Sequence, residues 1–410
     1  MRVGATRADV EANTIWGAMH GLQTFAQLVV WQGGNYSIPS VPIEVRDGPR
    51  FGWRGLLVDT ARHFMDVATL KRQIDALSAS KMNVLHWHAV DAESFPVSVL
   101  SEPALVKGAY NEKKAVYSES DMKEIVAYGK ARGVRVVVEF DVPGHSASWG
   151  VGLPGIVAKC PAYAHNINNI PLNPTLDTTW SVLKNLFSEM TSIFTDRYIH
   201  TGGDEVVTGC FENDPSIRSW MLSHNMQTGN QLYAYFEKQL AAIIAPLNKI
   251  KIMWEDVFNA GIPIDPTSSL VHIWSNHDTL DAVTSNGIHA ITSAGWYLGV
   301  QVPNRNDIHG LFFDTWQDFY LNDPILPQMT SDQIKLVLGG EAAQWGEQVD
   351  SLTIDAISWP RTAAVAERLW SQQSVQDIPS MKNRLHQHWC LLTRRGISAS
   401  PIMPGYCEMP

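Results

Sequence analysis

Two adjacent acids, Asp204 and Glu205, close the stretch HTGGDEV that runs from His200 to Val206. Like charges side by side repel, so a folded protein needs a reason to keep them together. A solvated turn would be one reason, but the preceding RYIH reads as a short buried strand that delivers the pair to a strand end. Other apolar runs also finish on residues with chemical potential. LHWHAV carries His88 and leads to Asp91; VVVEF leads to Asp141 and His145. Trp254 and Glu255 end one run, Trp274 the next, Trp296 and Tyr297 another, and Trp345 and Glu347 the last, while Arg54 to Asp59 span the first. Such a set is acidic and aromatic. Carboxylates accept hydrogen bonds from hydroxyls, and tryptophan covers the apolar face of a sugar ring. The set contains neither a glycine-rich phosphate loop nor a nucleophilic serine or cysteine.

One rival chemistry is metal-dependent hydrolysis. His86 and His88 alternate onto one strand face, and barrel hydrolases use such pairs for Zn²⁺, with His145, His200 and Asp204 as conceivable further ligands. A histidine more commonly packs or relays a hydrogen bond, and His145 in PGH reads as a relay to an acid.

The elements that must position these residues alternate. WRGLLVDTAR, NVLHWHAVD, VRVVVEFDVPGH, RYIHTGGDE, KIMWED, LVHIWS, HAITSAGWYL and LVLGGEAAQWGE read as eight strands. Helical spacing falls between them, as in Leu70, Ile74 and Leu77, in the run opened by Ser118 and closed by Gly133, in Gln231 to Ile244, and in a last helix from Ile354 to Trp370. Eight βα units predict a (β/α)8 TIM barrel, whose chemistry lies at the C-terminal strand ends. The barrel with its tail is expected over residues 51–410. Residues 1–50, with one helical stretch and the strand VPIEV, look like the remnant of a small α/β N-terminal domain.

Composition sets the bounds. The chain has 410 residues, is 45% hydrophobic and 18% charged, and carries a net charge of −10. Without a Lys/Arg run, nucleic acid is excluded as a partner. No apolar run reaches the roughly 20 residues of a membrane span. Fifteen tryptophans add weight to sugar recognition. The four cysteines, Cys160, Cys210, Cys390 and Cys407, form no CxxC pair and permit three pairings, of which those within each half are nearest in sequence. An even cysteine count and the sequon at Asn35 point to a lysosomal or secreted route; the N-terminus does not read as a signal peptide, which points to a mature or trimmed form.

HTGGDEV, LHWHAVDAESFP, EFDVPGHS, GGEAAQWGE and RTAAVAERLWS together resemble the β-N-acetylhexosaminidases of glycoside hydrolase family 20, above all the eukaryotic lysosomal-type enzymes, from about residue 12 onward. The resemblance implies exo-hydrolysis of terminal β-linked N-acetylglucosamine or N-acetylgalactosamine without metal or cofactor. It implies a retaining mechanism in which the substrate's 2-acetamido oxygen is the nucleophile and an oxazolinium forms. Glu205 would be acid and base. Asp204 would orient the acetamido group and, being ionised, hold Glu205 protonated. Tyr297 would donate to the acetamido oxygen, and Trp254, Trp274 and Trp345 would wall the ring. Arg54 and Glu347 would bind hydroxyls, with Asp91 and His145 supporting Glu205. The resemblance also implies Cys160–Cys210 and Cys390–Cys407 disulfides and a homodimer around the end of the eighth strand. Gly299 departs from it, since the family commonly carries Asp or Asn there; Asp314 or Asp318 would be the substitutes. A sugar-binding protein that has lost catalysis is the other alternative.

Overall fold

The computed structural model describes residues 1–32, 34–299 and 315–407. Eight parallel strands close into a barrel: Trp53–Asp59, Val84–Val90, Arg135–Phe140, Tyr198–His200, Ile250–Trp254, Ser269–Ile273, His289–Thr292 and Val337–Gln344. They are the first to eighth strands below. Neighbours in sequence are neighbours in space, and the eighth strand closes on the first with Gly339 opposite Trp53 and Gln344 opposite Val58. All eight coincide with the apolar runs of the sequence, because a strand covered by helices outside and side chains inside is buried on both faces.

Helices cover the outside. Val67–Ala79 starts at Asp66, whose carboxylate accepts from the Thr69 N–H at 2.7 Å, and it buries Leu70, Ile74 and Leu77. Glu119–Ala131 starts with a reciprocal Ser118–Asp121 cap. The single helix expected from Ile354 to Trp370 is two helices, Ile354–Ser358 and Arg361–Trp370. Pro360 separates them, since proline has no N–H to continue the first.

Ahead of the barrel lie the expected helix, Ile15–Leu28, and the expected strand, Ile43–Glu44. Short strands that the hydrophobic pattern does not reveal accompany them. Arg2–Val3 pairs with both Ala8–Asp9 and Ile43–Glu44, and Val30–Gln32 pairs with Asn35–Ser37. Two- and three-residue strands are too short to show periodicity. Asn35 is exposed on the latter pair. The helix leans on the barrel: the His20 ring meets the edge of Trp370, and Lys81 donates to Thr24.

The barrel interior has three layers. At the N-terminal end Trp53, Val84, Val137, Ile252, Leu270 and Ile291 pack together. The middle layer is polar and fully buried: His86, Glu139, His200, His272 and Glu341. At the C-terminal end Leu57, Trp254 and Ala343 support Trp274, Tyr297 and Trp345. Chemistry therefore sits above a charged layer, not an aliphatic one.

Candidate active site

A cavity of about 410 Å³ opens at the C-terminal strand ends, at the small end of the range for small-molecule sites (roughly 300–1,000 Å³). Arg62, His145, Asp204, Glu205, Trp254, Trp274, Tyr297, Gly299, Trp345, Glu347, Gln348 and Val349 line it.

The loop after the fourth strand delivers the two acids. Gly202 has φ +66°, and a Cβ there would fall 1.8 Å from Asp141 Oδ1, so only glycine fits. The Gly203 N–H donates to Asp141 Oδ1 at 3.0 Å, and its carbonyl accepts from the Tyr233 hydroxyl. Glu205 itself sits in the left-handed region at φ +49°, as does His145 at +50°. Strain of this kind, about 1–3 kcal/mol per residue, persists where surrounding contacts hold it. Here the Glu205 N–H donates to Asp256 Oδ1 at 3.2 Å, and Asp256 Oδ2 accepts from Trp274 Nε1 at 2.9 Å. Asp256 thus ties the acid's backbone to an aromatic wall.

The Asp204 side chain is 14% exposed and that of Glu205 59%, so Glu205 projects into the opening. His145 Nε2 lies 3.4 Å from Glu205 Oε2 and 3.9 Å from Asp204 Oδ2. Behind it, Nδ1 lies 3.0 Å from Asp91 Oδ1. Burial opposes charge on His145, but Asp91 outweighs it and holds the imidazole protonated well above its usual range. Burial pushes the Asp204 carboxyl up to about 6. The hydrogen bond from His145 draws Glu205 below the usual carboxylate value. This reverses the order expected from charge repulsion between the two acids alone. A cation stands between them, and it faces the better-solvated Glu205 more closely. Asp141, buried and beside Asp204, is pushed well above the carboxylate range and stays protonated.

The aromatic walls are where the strand ends put them. Trp254 is buried, stacks on His272 at 4.1 Å and donates from Nε1 to Glu139 at 2.8 Å. Trp345 and Trp254 lie 6.0 Å apart, and Tyr297 and Trp274 6.5 Å apart. Burial raises the Tyr297 hydroxyl far above its usual value, so it is a donor. Trp296 points away from the cavity and donates to the Phe319 carbonyl.

Arg54 is corrected. It lies near the start of the first strand, at the opposite end of the barrel, where it donates to the Lys81 and Phe51 carbonyls and lies over Trp370. The arginine in the cavity is Arg62, three residues beyond the end of that strand. It bonds Asp59 at 3.1 Å, Asp91 at 2.9 Å and Glu93 at 3.0 Å, and lies 5.2 Å from the Trp345 ring. Applying the strand-end rule to residue position would have chosen it. Glu347 and Gly299 line the cavity. Asp318 closes a capping box with Thr315 on the helix Trp316–Leu321 and is not among the described residues that line the cavity, while Asp314 falls outside the described residues.

The metal reading meets occupied ligands. His86 Nδ1 is 2.5 Å from Glu341 and its Nε2 3.0 Å from Glu139; His88 Nδ1 is 2.6 Å from Glu139 and its Nε2 2.7 Å from Asp91. His86 and His200 also stack face to face at 4.6 Å, and with His272 they bring one nitrogen each within 4.8 Å of one another, but Glu139 and Glu341 already contact these rings. Cys160 pairs with Cys210 and Cys390 with Cys407, Cα–Cα 4.8 and 5.2 Å, as the resemblance implied.

Residues 51–373 match the model of the glycosyl hydrolase family 20 catalytic domain. The chain belongs to that family. It is 43% identical to β-hexosaminidase subunit A1 of Dictyostelium discoideum, over 98% of this chain and 74% of that one. It is 38% identical to the human β-hexosaminidase subunit β, over 98% and 71%. Among solved structures, the chitobiase of Flavobacterium johnsoniae superposes with a TM-score of 0.82 at 31% identity, covering 93% of this chain but only 57% of that one.

Proposed function

We propose that this family 20 hydrolase is a β-N-acetylhexosaminidase that removes terminal β-linked N-acetylglucosamine or N-acetylgalactosamine by a retaining, substrate-assisted route. One observation carries the mechanism. Both carboxylates come from adjacent residues and approach the same nitrogen, His145 Nε2, at 3.4 and 3.9 Å. A retaining enzyme with a protein nucleophile needs carboxylates on opposite sides of the scissile bond, about 5–5.5 Å apart. Two neighbouring acids gathered on one histidine support a route in which the substrate's own acetamido oxygen attacks.

Glu205 donates its proton to the leaving oxygen and then takes one from water. Asp204 accepts the acetamido N–H and offsets the positive charge as the ring closes. Tyr297 donates to the acetamido oxygen. Trp254, Trp274 and Trp345 enclose the methyl group and the ring. Glu347 and, in place of Arg54, Arg62 stand where hydroxyls bind. Between the lowered value of Glu205 and the raised value of Asp204 the two carboxyls together hold one proton. The working form puts that proton on Glu205.

The test is Glu205→Gln with two aryl N-acetylglucosaminides. Loss of a general acid costs roughly 10²–10⁴-fold; a poor leaving group suffers this fully and an activated one much less. Equal, small losses with both would reject the assignment. Wild-type turnover on gluco and galacto substrates, unchanged by chelator, separates this reading from a sugar-binding protein and from a metal hydrolase. The two disulfides and the exposed Asn35 sequon support a lysosomal or secreted protein. Homodimerisation beside the end of the eighth strand, where Leu352 stands exposed, is checked by sedimentation.

A further inference from the structure

The polar middle layer of the barrel has a use beyond packing. Two carboxylates with no solvent contact are costly unless paired, and aliphatic side chains would fill the same space without that cost. The two acids face different ways. Glu341 takes the Trp53 Nε1–H at 2.7 Å and His86 at 2.5 Å, so it serves the N-terminal end of the barrel. Glu139 looks toward the pocket. Its Oε1 accepts from Trp254 Nε1 at 2.8 Å and lies 3.1 Å from His200 Nδ1. Its Oε2 lies 2.6 Å from His88 Nδ1 and 3.0 Å from His86 Nε2. From His88 the contacts continue: Nε2 to Asp91 Oδ2 at 2.7 Å, Asp91 Oδ1 to His145 Nδ1 at 3.0 Å, and His145 Nε2 to Glu205 Oε2 at 3.4 Å. One buried carboxylate therefore holds the pocket floor with one oxygen and begins the chain that ends on the acid with the other.

We propose that Glu139, acting through His88, is a positioning residue for the hydrolytic reaction, fixing Trp254 under the substrate and setting the charge order of the Asp91–His145–Glu205 line. The proposal rests on the assignment of Asp204 and Glu205 above. Its electrical side follows from the groups around it. His86, His88, His200 and Trp254 face Glu139; His145, Asp141 and Asp256 surround Asp204. Burial opposes charge on His88, but Glu139 and Asp91 outweigh it and keep it protonated. Burial is also the chief cause of Asp204's raised value, and the negative charge of Glu139 adds to it. Removing the anion at Glu139 lowers Asp204; removing the cation at His88 raises the carboxyls near it, Asp141 among them.

The experiment is kcat and KM of the full chain on an aryl β-N-acetylglucosaminide across about pH 4 to 8, for wild type, Glu139→Gln, Glu139→Asp, His88→Gln and Glu205→Gln. Glu139→Gln keeps an oxygen for Trp254 and removes the charge. A misplaced reacting geometry costs up to about 10²-fold, so kcat should fall between roughly tenfold and a hundredfold with KM little changed. The alkaline limb should move to lower pH in Glu139→Gln and to higher pH in His88→Gln, and Glu139→Asp should return it toward wild type. A limb unmoved in both variants, or moved the same way in both, overturns the proposal even if stability has dropped, since packing loss alone moves no limb in opposite directions. Should Glu139→Gln fail to fold, His88→Gln carries the test: an upward shift supports the proposal and none overturns it. Glu205→Gln separates the two levels. If it retains wild-type turnover, the underlying assignment fails; if it is crippled while the other limbs stay put, only the role of Glu139 fails.

Discussion

Replacing Asp204 with Asn removes a charge while nearly keeping the shape of the side chain. Asp204 stands at the pocket wall with one oxygen buried and without a hydrogen-bond partner among the described residues. A carboxylate hydrogen-bonded to the acetamido N–H lies on the order of 4 Å from the positive charge that spreads over the closing ring. At an effective dielectric constant near 20, such a pair is worth about 4 kcal/mol. At about 1.4 kcal/mol per decade, kcat should fall roughly 10³-fold. The amide oxygen of Asn still accepts the N–H, so ground-state binding should change little and KM should stay within about fivefold, or about 1 kcal/mol. Steady-state kinetics on an aryl β-N-acetylglucosaminide measure both constants. A thiazoline, which mimics the cyclic intermediate, should bind the wild type far more tightly than the variant. A kcat loss below about tenfold, or equal thiazoline affinity for both proteins, would refute the role given to the Asp204 charge.

Three further outcomes are expected. The pH–rate profile of kcat/KM should be bell-shaped and acidic, with its alkaline limb near the Asp204 value of about 6 and its acid limb at the lowered Glu205 value, since the working form holds one proton on the two acids; a profile flat up to about pH 9 contradicts this order. Gly299 lines the cavity, and a Cβ there meets nothing closer than 3.7 Å, so Gly299→Asp should fit and place a negative charge near the outer hydroxyls. It should shift the kcat/KM ratio of neutral over 6-sulfated substrate by about tenfold toward the neutral sugar, or about 1.4 kcal/mol, and no shift would mean that Gly299 does not face the sulfate. Arg62→Met should leave the buried Asp59 without its cation and Asp91 with only His88 and His145, and lower unfolding free energy by about 3–5 kcal/mol, read by urea denaturation; a change under about 1 kcal/mol would show that His88 and His145 already suffice.

Local sequence determined the elements and most of the strand-end inventory. A strand covered on both sides must be apolar along its length, so the eight strands show in the hydrophobic pattern. Turn chemistry shows as well, since the GG before Asp204 and Glu205 answers to a left-handed backbone that must pass Asp141 at Gly202 and Val257 at Gly203. Other assignments needed coordinates. Arg54 and Arg62 belong to one stretch and differ only in where the strand starts and stops, which decides the end of the barrel each occupies. Glu139, in the middle of an apolar run, carries no local sign that four side chains from three other strands will converge on it. Nor does adjacency reveal the proton order of Asp204 and Glu205. Sequence supplies the two acids and their repulsion, but the third charge, His145, arrives from the loop after another strand and lies nearer to Glu205. Protonation depends on burial and on charges a few ångströms away, and those distances exist only once the barrel has closed.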